Sequence, residues 1–577
     1  MTSPAAVPSK WGTAAFVLVL IALHLAPVWM VARFPTQDGP QHAYNALILQ
    51  SYGAPESAAF RDYFLISRRP VPNWITHLIL AGLMTAVSPA TADKIVVSGY
   101  VIAFFLAGLY VVRALDRSTR WPLLVLLPLA YNIFLFFGFY NFDYSLAVLM
   151  LTIGYWLRHA EALRGRRIAI LALLVTLLYF CHIVAFGIAA IVIGLGVVQA
   201  TVGVAATGPL LLATLLVAVA GMLKPFVGWK IALPLLVIGL VAVAVVAMRR
   251  RTIELQGIVR RLLSAALPLL ALAPAAVLSV LFVTGEKAAR KGEAPYKRFL
   301  RLIDWAGAFH SADRLVSLAV VVLLLLVAAT VLWRKLRRRA WQPADVLLGT
   351  AALSLGMTMV APSAAAGGSY IIDRLALLSV LTLALWTAVQ ITSRDFHRGR
   401  GIALGAFAIL GAVLLARDTI GIVGRARLVD EYVATAVATL PPGARAMELF
   451  YTDGNPAGRG PAWQSPVKFM LHALAWPAAE RRAVDVLNYE AGTGYFPILF
   501  RPGLQFFTGN GDNVPPSVYV GATQGCGRID YILLWTGGQH PPTPIDERCA
   551  DELAADYHPI AVSNGRGWLQ VYERNRR

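Results

Sequence analysis

Asp38 and His42 are four residues apart in the stretch Pro35-Thr36-Gln37-Asp38-Gly39-Pro40-Gln41-His42, directly after the first long apolar run. Asp38 precedes a proline at the second position of an expected helix, so an N-cap accounts for it, and a cap of that kind also puts His42 one turn away on the same face. A carboxylate fixed there can take a proton from a hydroxyl, with the imidazole as a hydrogen-bonding partner or phosphate ligand. A second acid, Asp143, lies in Gly138-Phe139-Tyr140-Asn141-Phe142-Asp143-Tyr144-Ser145. An aromatic interface belt explains that motif's rings. It does not explain an acid at the membrane edge without an evident cation, and Asn141 and Asp143 are therefore site candidates. Cations come from two places. The loop from Glu286 to Arg314 carries Lys297, Arg298 and Arg301 close together, and Gly367-Gly368-Ser369-Tyr370-Ile371-Ile372-Asp373-Arg374 ends a loop where a helix begins. Arginine is suited to bidentate phosphate contact and glycine to close backbone approach, so Tyr370 and Arg374 join the candidates. A solvated amphipathic face and an Arg374–Asp373 pair are the plainer readings. His182, between two apolar runs, is either a ligand contact or a packed interface residue.

These residues are far apart in sequence, and only a membrane topology brings them together. The chain is 58% hydrophobic and 14% charged, with mean hydropathy +0.64, which excludes an ordinary soluble domain. Apolar runs of spanning length recur between basic clusters. We place them at 11–32, 94–113, 120–138, 142–158, 168–181, 183–200, 207–223, 229–248, 262–284, 315–333, 345–361, 374–392 and 401–417, about thirteen in all. Five arginine-rich clusters fall on one side of this scheme, among them Arg334, Lys335, Arg337, Arg338 and Arg339, and the positive-inside rule makes that side cytoplasmic. Pro70 to Ser88 must then lie along the outer interface, because a crossing there would invert every later loop. The N-terminus is expected inside, and residues 33–93 form a first external loop bearing Asp38 and His42.

From about residue 425 the apolar runs stop, and short strand-like pieces alternate with Gly and Pro, as in a folded domain. The expected division is a membrane domain, 1–424, and an extracytoplasmic α/β domain, 425–577. The second part holds 14 basic and 15 acidic residues, so the net charge of +20 belongs to the membrane part. That charge fits cytoplasmic loops against anionic lipid and excludes nucleic-acid binding as its explanation. Cys526 and Cys549 share the tail, where a disulfide and two free thiols are both open, and Cys181 sits in a span. No zinc spacing, phosphate-binding loop, dinucleotide fingerprint or nucleophile elbow is present.

A first helix running inside to outside, a long first external loop opening with an acid, about a dozen spans and a C-terminal external domain resemble the GT-C superfamily of integral-membrane glycosyltransferases. The resemblance covers residues 1 to about 417 as architecture. It implies a mainly α polytopic bundle with a C-terminal α/β domain, located in the bacterial cytoplasmic membrane with its tail in the periplasm. The implied donor is a sugar on a polyprenyl phosphate, and the acceptor a hydroxyl of a glycan, lipid or protein. In this reading Asp38 matches the family's first-loop acid, Asp143 an acid of the second external loop, and Arg374 a late arginine on lipid phosphate, with inversion at the anomeric carbon. The family's first-loop pair is Asp-Glu or Asp-Asp, whereas this chain has Asp38-Gly39. That departure counts against a bound divalent metal, and no other cofactor is read from the sequence. Two rival classes remain: a lipid-linked glycan transporter or flippase, and a non-catalytic membrane assembly protein whose tail binds a partner.

Overall fold

The computed structural model describes residues 10–69, 72–114, 120–204, 207–227, 255–284, 294–365, 368–391, 399–450, 466–505, 529–538 and 553–575. Among these, seven helices are long and apolar enough to cross a membrane: Trp11–Trp29, Pro89–Val112, Ile183–Thr201, Asp313–Arg338, Pro343–Val360, Ile371–Gln390 and Arg400–Thr439. Their lipid-side positions stay bare, as at Leu315 and Ile402, while the facing stripes are buried, as expected where lipid replaces water as solvent. The protein is a polytopic helical membrane protein with a C-terminal sheet domain. The expected span 229–248 and both tail cysteines lie outside the described residues.

The expected span 120–138 is a broken one. It runs as two 3₁₀ turns, Trp121–Val125 and Leu127–Leu129, followed by the short helix Ile133–Phe137. Pro122 and Pro128 each remove a backbone donor and prevent a continuous helix. Irregular backbone is tolerated at membrane depth only where protein covers it, and residues 122–137 are almost entirely buried.

The N-terminal elements are α1 (Lys10–Trp29), α2 (Gly39–Ser51), α3 (Ala58–Tyr63), strand β1 (Phe64–Ile66), α4 (Ile75–Leu83), α5 (Pro89–Val112), α6 (Ile133–Phe137) and α7 (Tyr140–His159). With nine residues, α4 is about half the length a crossing needs. The first loop is therefore a packed layer of helices between α1 and α5.

The helix Arg400–Thr439 continues straight through residue 425, so the compositional change there falls inside one 40-residue helix. It leads into β2 (Arg445–Phe450), followed by β3 (Val484–Asp485), β4 (Ile498–Phe500), β5 (Tyr531–Trp535), β6 (Tyr557–Val562) and β7 (Leu569–Arg574). Five of these strands form one mixed sheet in the order β3-β2-β5-β7-β6. β2 is parallel to β3 and β5, and β7 is antiparallel to β5 and β6. β4 leaves that sheet and pairs antiparallel with β1, Phe64 opposite Phe500.

This pairing ties the C-terminal domain to the first loop. Along α2, Gln41 bonds Asp485, the Tyr44 hydroxyl donates to the Ala483 carbonyl at 2.8 Å, and Asn45 bonds Asn488. Arg33 bridges Asp430 at 3.0 Å and Glu480 at 2.5 Å. The α2 face is buried as a result, from Gly39 through Ala46. Nothing in the local sequence of α2 marks this, because its polar residues are met by polar partners from more than 400 positions away.

Candidate active site

Asp38 stands at the α2 N-terminus as expected, but its side chain does not cap the helix. Pro40 occupies a first-turn position where no donor is needed, so the carboxylate is released to face the other way. Oδ2 accepts from the Tyr489 hydroxyl at 2.9 Å and Oδ1 from Gln37 Nε2 at 3.1 Å, with His472 Nε2 3.6 Å from Oδ1. The backbone is fixed too: Gln37 N and Asp38 N donate to the carbonyls of Phe136 and Phe137 at 2.9 and 3.0 Å. Gly138 makes that docking possible. It has φ +81°, and a Cβ there would lie 2.5 Å from Gly39 N, so both its handedness and its lack of a side chain are required.

Burial pushes the Asp38 carboxyl up to about 7, opposed by the charge of His42 and the hydrogen bonds from Tyr489 and Gln37. His472 goes the other way: burial holds it down at about 3, so it is neutral beside Asp38. Its ring stacks on Tyr489 at 4.7 Å.

His42 lies one turn on, and its Nδ1 is 2.5 Å from Glu490 Oε1. The other carboxylate oxygen takes His77 Nε2 and Asn45 Nδ2, each at 2.8 Å. Burial works against a charge on His42, but Glu490, then Asp38 and the Gly138 carbonyl, raise its affinity for a proton above the ordinary imidazole value. For Glu490, burial is outweighed by the two imidazoles, which hold it well below the usual carboxylate range. Beneath them Thr36 and the Tyr140 hydroxyl approach to 3.2 Å, and Tyr140 donates to Asp93 Oδ1 at 2.6 Å.

The His42, His77 and Glu490 ligand atoms lie within 4.8 Å of one another, the one such trio among the described residues. The 2.8 Å contact of His77 Nε2 with Glu490 Oε2 is a hydrogen bond, whereas His42 Nδ1 and Glu490 Oε1 are 2.5 Å apart without forming one. Ligands around a tetrahedral ion with bonds near 2.0–2.1 Å sit roughly 3.3 Å apart. Within the trio, His42 Nδ1 and Glu490 Oε1 are buried and neither makes a hydrogen bond, so two ligand atoms are left unsatisfied among three that could hold a metal ion.

A cavity of about 240 Å³ joins Asp38 and His42 to Asn141, His182, Tyr370 and Arg374. Six of the ten candidates thus share one space. Arg374 is held by a bond from Nη1 to the Ser369 carbonyl at 2.5 Å and lies 4.7 Å from the Phe139 ring. Tyr370, at φ +57°, turns the chain into the helix Ile371–Gln390 in a conformation unusual for a bulky residue. Asn141 and His182 reach the cavity, but their polar atoms hold the scaffold. The Asn141 amide bonds Thr76 N and the Asn73 carbonyl, fixing the start of α4, and His182 Nδ1 accepts from Val184 N.

The other four candidates lie elsewhere. Asp143 is fully buried behind the cavity wall, bonded by Asn132 at 3.1 Å, and Arg374 is the cation that acts on it. Arg298 is buried with Nη1 on the Thr358 and Ala361 carbonyls at 3.1 and 2.8 Å, where it closes the C-terminal end of the helix Val346–Val360 instead of facing a ligand. Lys297 is exposed and lines none of the cavities described. Arg301 pairs with Asp373 at 3.1 Å and lines a second cavity of about 240 Å³, which shares Tyr370 with the first. Conversely, the sequence reading missed Tyr489, Glu490 and His472 of the tail, and His77 and Asp93 of the first loop. His77 falls inside the apolar stretch Pro70 to Ser88, and an imidazole there was the one available signal.

No family model matches the sequence, and no curated protein matches it. Among solved structures, ArnT from Cupriavidus metallidurans in the apo state is similar at 12% identity, over 97% of this chain and 98% of that one, with a TM-score of 0.42.

Proposed function

We propose that the protein is a membrane glycosyltransferase that moves a sugar from a polyprenyl-phosphate donor to an acceptor hydroxyl at the outer face of the cytoplasmic membrane. The observation that carries this reading is the joining, in one cavity at the ends of apolar helices, of a buried carboxylate poised near neutrality with an arginine and an imidazole. On one side the cavity is bounded by Ile183 and Val184 at the start of an apolar helix, and by Phe282 and Val283 at the end of the helix Leu255–Thr284. That second helix exposes Val277, Val280 and Leu281, a surface suited to an isoprenoid tail.

The chemistry follows from the residue types. Asp38 accepts the acceptor's hydroxyl proton, the freed oxygen bonds to the anomeric carbon, and the bond from that carbon to phosphate oxygen breaks. The phosphate leaves with the electron pair, and Arg374 and His42 supply the opposing charge. Attack from the face opposite the phosphate inverts the anomeric centre. A flippase would place its charges along a path across the bilayer, whereas these acids and cations gather at one end.

The test uses purified full-length protein with a panel of synthetic polyprenyl-phosphate pentoses and hexoses and an added alcohol or water as the acceptor hydroxyl, following polyprenyl phosphate release and the glycosylated acceptor or free sugar by mass spectrometry. Release by the wild type, and its loss in Asp38→Asn, is expected. A folded Asp38→Asn protein that turns over a donor at the wild-type rate would sink the assignment of the base.

A further inference from the structure

We infer that His42, His77 and Glu490 hold a divalent transition-metal ion of the zinc class, where the first external loop meets the C-terminal domain. The ligands come from three elements: His42 from α2, His77 from α4 and Glu490 from the short helix Tyr489–Thr493 of the tail. Their side chains are buried, at 4%, 0% and 0% exposure. Two imidazoles and a carboxylate are a donor set that zinc takes, whereas magnesium and calcium favour oxygen alone. Three protein ligands leave a fourth position for water.

The hydrogen bonds around the trio point to an ion. His77 Nδ1 is 3.2 Å from the Asn73 carbonyl, which can only accept, so Nδ1 carries a proton and Nε2 is the nitrogen turned to Glu490 Oε2. A backbone carbonyl on the far nitrogen is the usual outer support of a metal-bound histidine. Asn45 Nδ2 donates to Glu490 Oε2 at 2.8 Å and exchanges bonds with Asn488, which orients the carboxylate. A second proton on His77 would serve Oε2 and do nothing for the other pair, His42 Nδ1 and Glu490 Oε1. Those two atoms are buried and 2.5 Å apart without a hydrogen bond, and buried polar atoms left so are costly. A cation needs no aligned N–H and takes the lone pairs of both, together with that of His77. Widening their separation from 2.5 Å to that of a tetrahedral site is an opening of about 0.8 Å, within reach of side-chain rotation. The bound ion adds coordination bonds to the β1–β4 pairing that already joins the two parts of the chain, so its binding free energy becomes stability of the docked C-terminal domain. It also sets positive charge beside the cavity that His42 lines.

The inference stands whether or not the protein transfers sugar, and its experiment is read without donor or turnover. Full-length protein is purified in detergent through a tag free of histidine, and its metal content is measured by mass spectrometry. It is then stripped with a chelator and titrated with Zn²⁺ or Co²⁺. About one equivalent of either ion per chain is expected. Zn²⁺ at roughly a hundredfold its Kd should raise the melting temperature of the stripped protein by about 2 °C or more. The Co²⁺ form should show the intense visible absorption of a four-coordinate ion, which six-coordinate cobalt in solution lacks. His77→Gln and Glu490→Gln should each weaken Zn²⁺ binding by about a hundredfold or more and abolish that absorption. A stripped wild type that takes up neither ion, or whose melting temperature zinc leaves unchanged, overturns the inference even if the variants do not fold. So does zinc that either folded variant keeps at full affinity, which marks an adventitious ion elsewhere on the chain.

Discussion

Tyr489→Phe tests the base and the domain contact in one substitution. The change deletes the hydroxyl that donates to Asp38 Oδ2 at 2.9 Å and leaves the ring stacked on His472. A hydrogen bond to a charged acceptor contributes on the order of 1.5–3 kcal/mol, part of which the neutral acid retains. About 1.4 kcal/mol of preference for the ionised form corresponds to one pKa unit. Asp38, already pushed up to about 7 by burial, should therefore rise by about one unit in the variant. The sign follows from the direction of the shift. The base works as the carboxylate, so activity is full above its pKa and is lost as pH falls through it. At pH 7 the ionised fraction drops from about one half to about one tenth, a rate loss of about fivefold, while at pH 9 both proteins are ionised and the rates converge. The assay is kcat/KM for polyprenyl phosphate release across pH 5.5 to 9.5, with Asp38→Asn as the variant that alkaline pH does not rescue. A Tyr489→Phe profile lowered equally at every pH, or superimposable on the wild type, would refute the assignment of Asp38 as the titrating base.

Three further outcomes are expected. Arg374→Gln should lower kcat by about a hundredfold or more, with little change in the acid limb, because it removes charge stabilisation of the departing phosphate and not the base. Gly138→Ala places a methyl group against Gly39 N in a left-handed conformation and should cost more than about 1 kcal/mol of stability; the check is a lower detergent melting temperature together with reduced kcat, although Asp38 itself is untouched. Asp345 accepts from Lys335 at 3.0 Å, Trp386 at 2.9 Å and Gln390 at 3.2 Å in a buried cluster on the side opposite the cavity. Asp345→Ala should therefore destabilise the fold by about 3–5 kcal/mol, measured by thermal unfolding, while the folded fraction keeps its wild-type pH profile.

The helical architecture was legible because apolar runs and arginine clusters follow from the bilayer's thickness and charge asymmetry, which act on local sequence. Asp38, His42, Tyr370 and Arg374 were legible for a related reason, since ionisable groups beside glycine and proline at helix ends stand out from an apolar background. The basic loop misled: Arg298 looks like a phosphate ligand by composition, but its stem crosses to the end of another helix and satisfies two carbonyls there. The broken crossing at 120–138 also escaped, because hydropathy does not register what two prolines do to backbone donors. Tyr489, Glu490 and His472 could not be found at all. Their neighbours are supplied by the pairing of β1 with β4 and by the polar face of α2, across more than 400 residues, and no local pattern encodes such a contact.

The glycine at 39 shows how this site differs from one built on two consecutive acids. A Cβ at that position would collide with Thr36 Oγ1 and the Tyr140 hydroxyl, which bond each other while Tyr140 also donates to Asp93. A side chain at 39 and the Tyr140–Asp93 contact therefore exclude each other. With glycine there, the Tyr140 hydroxyl has room beside the loop, and a second carboxyl group, Asp93 of α5, enters through its bond from Tyr140 instead of from the neighbouring residue. A third, Glu490, enters from the C-terminal domain. Each approaches through an intermediary, Tyr140 in one case and His42 in the other, so neither is placed to chelate an ion together with Asp38.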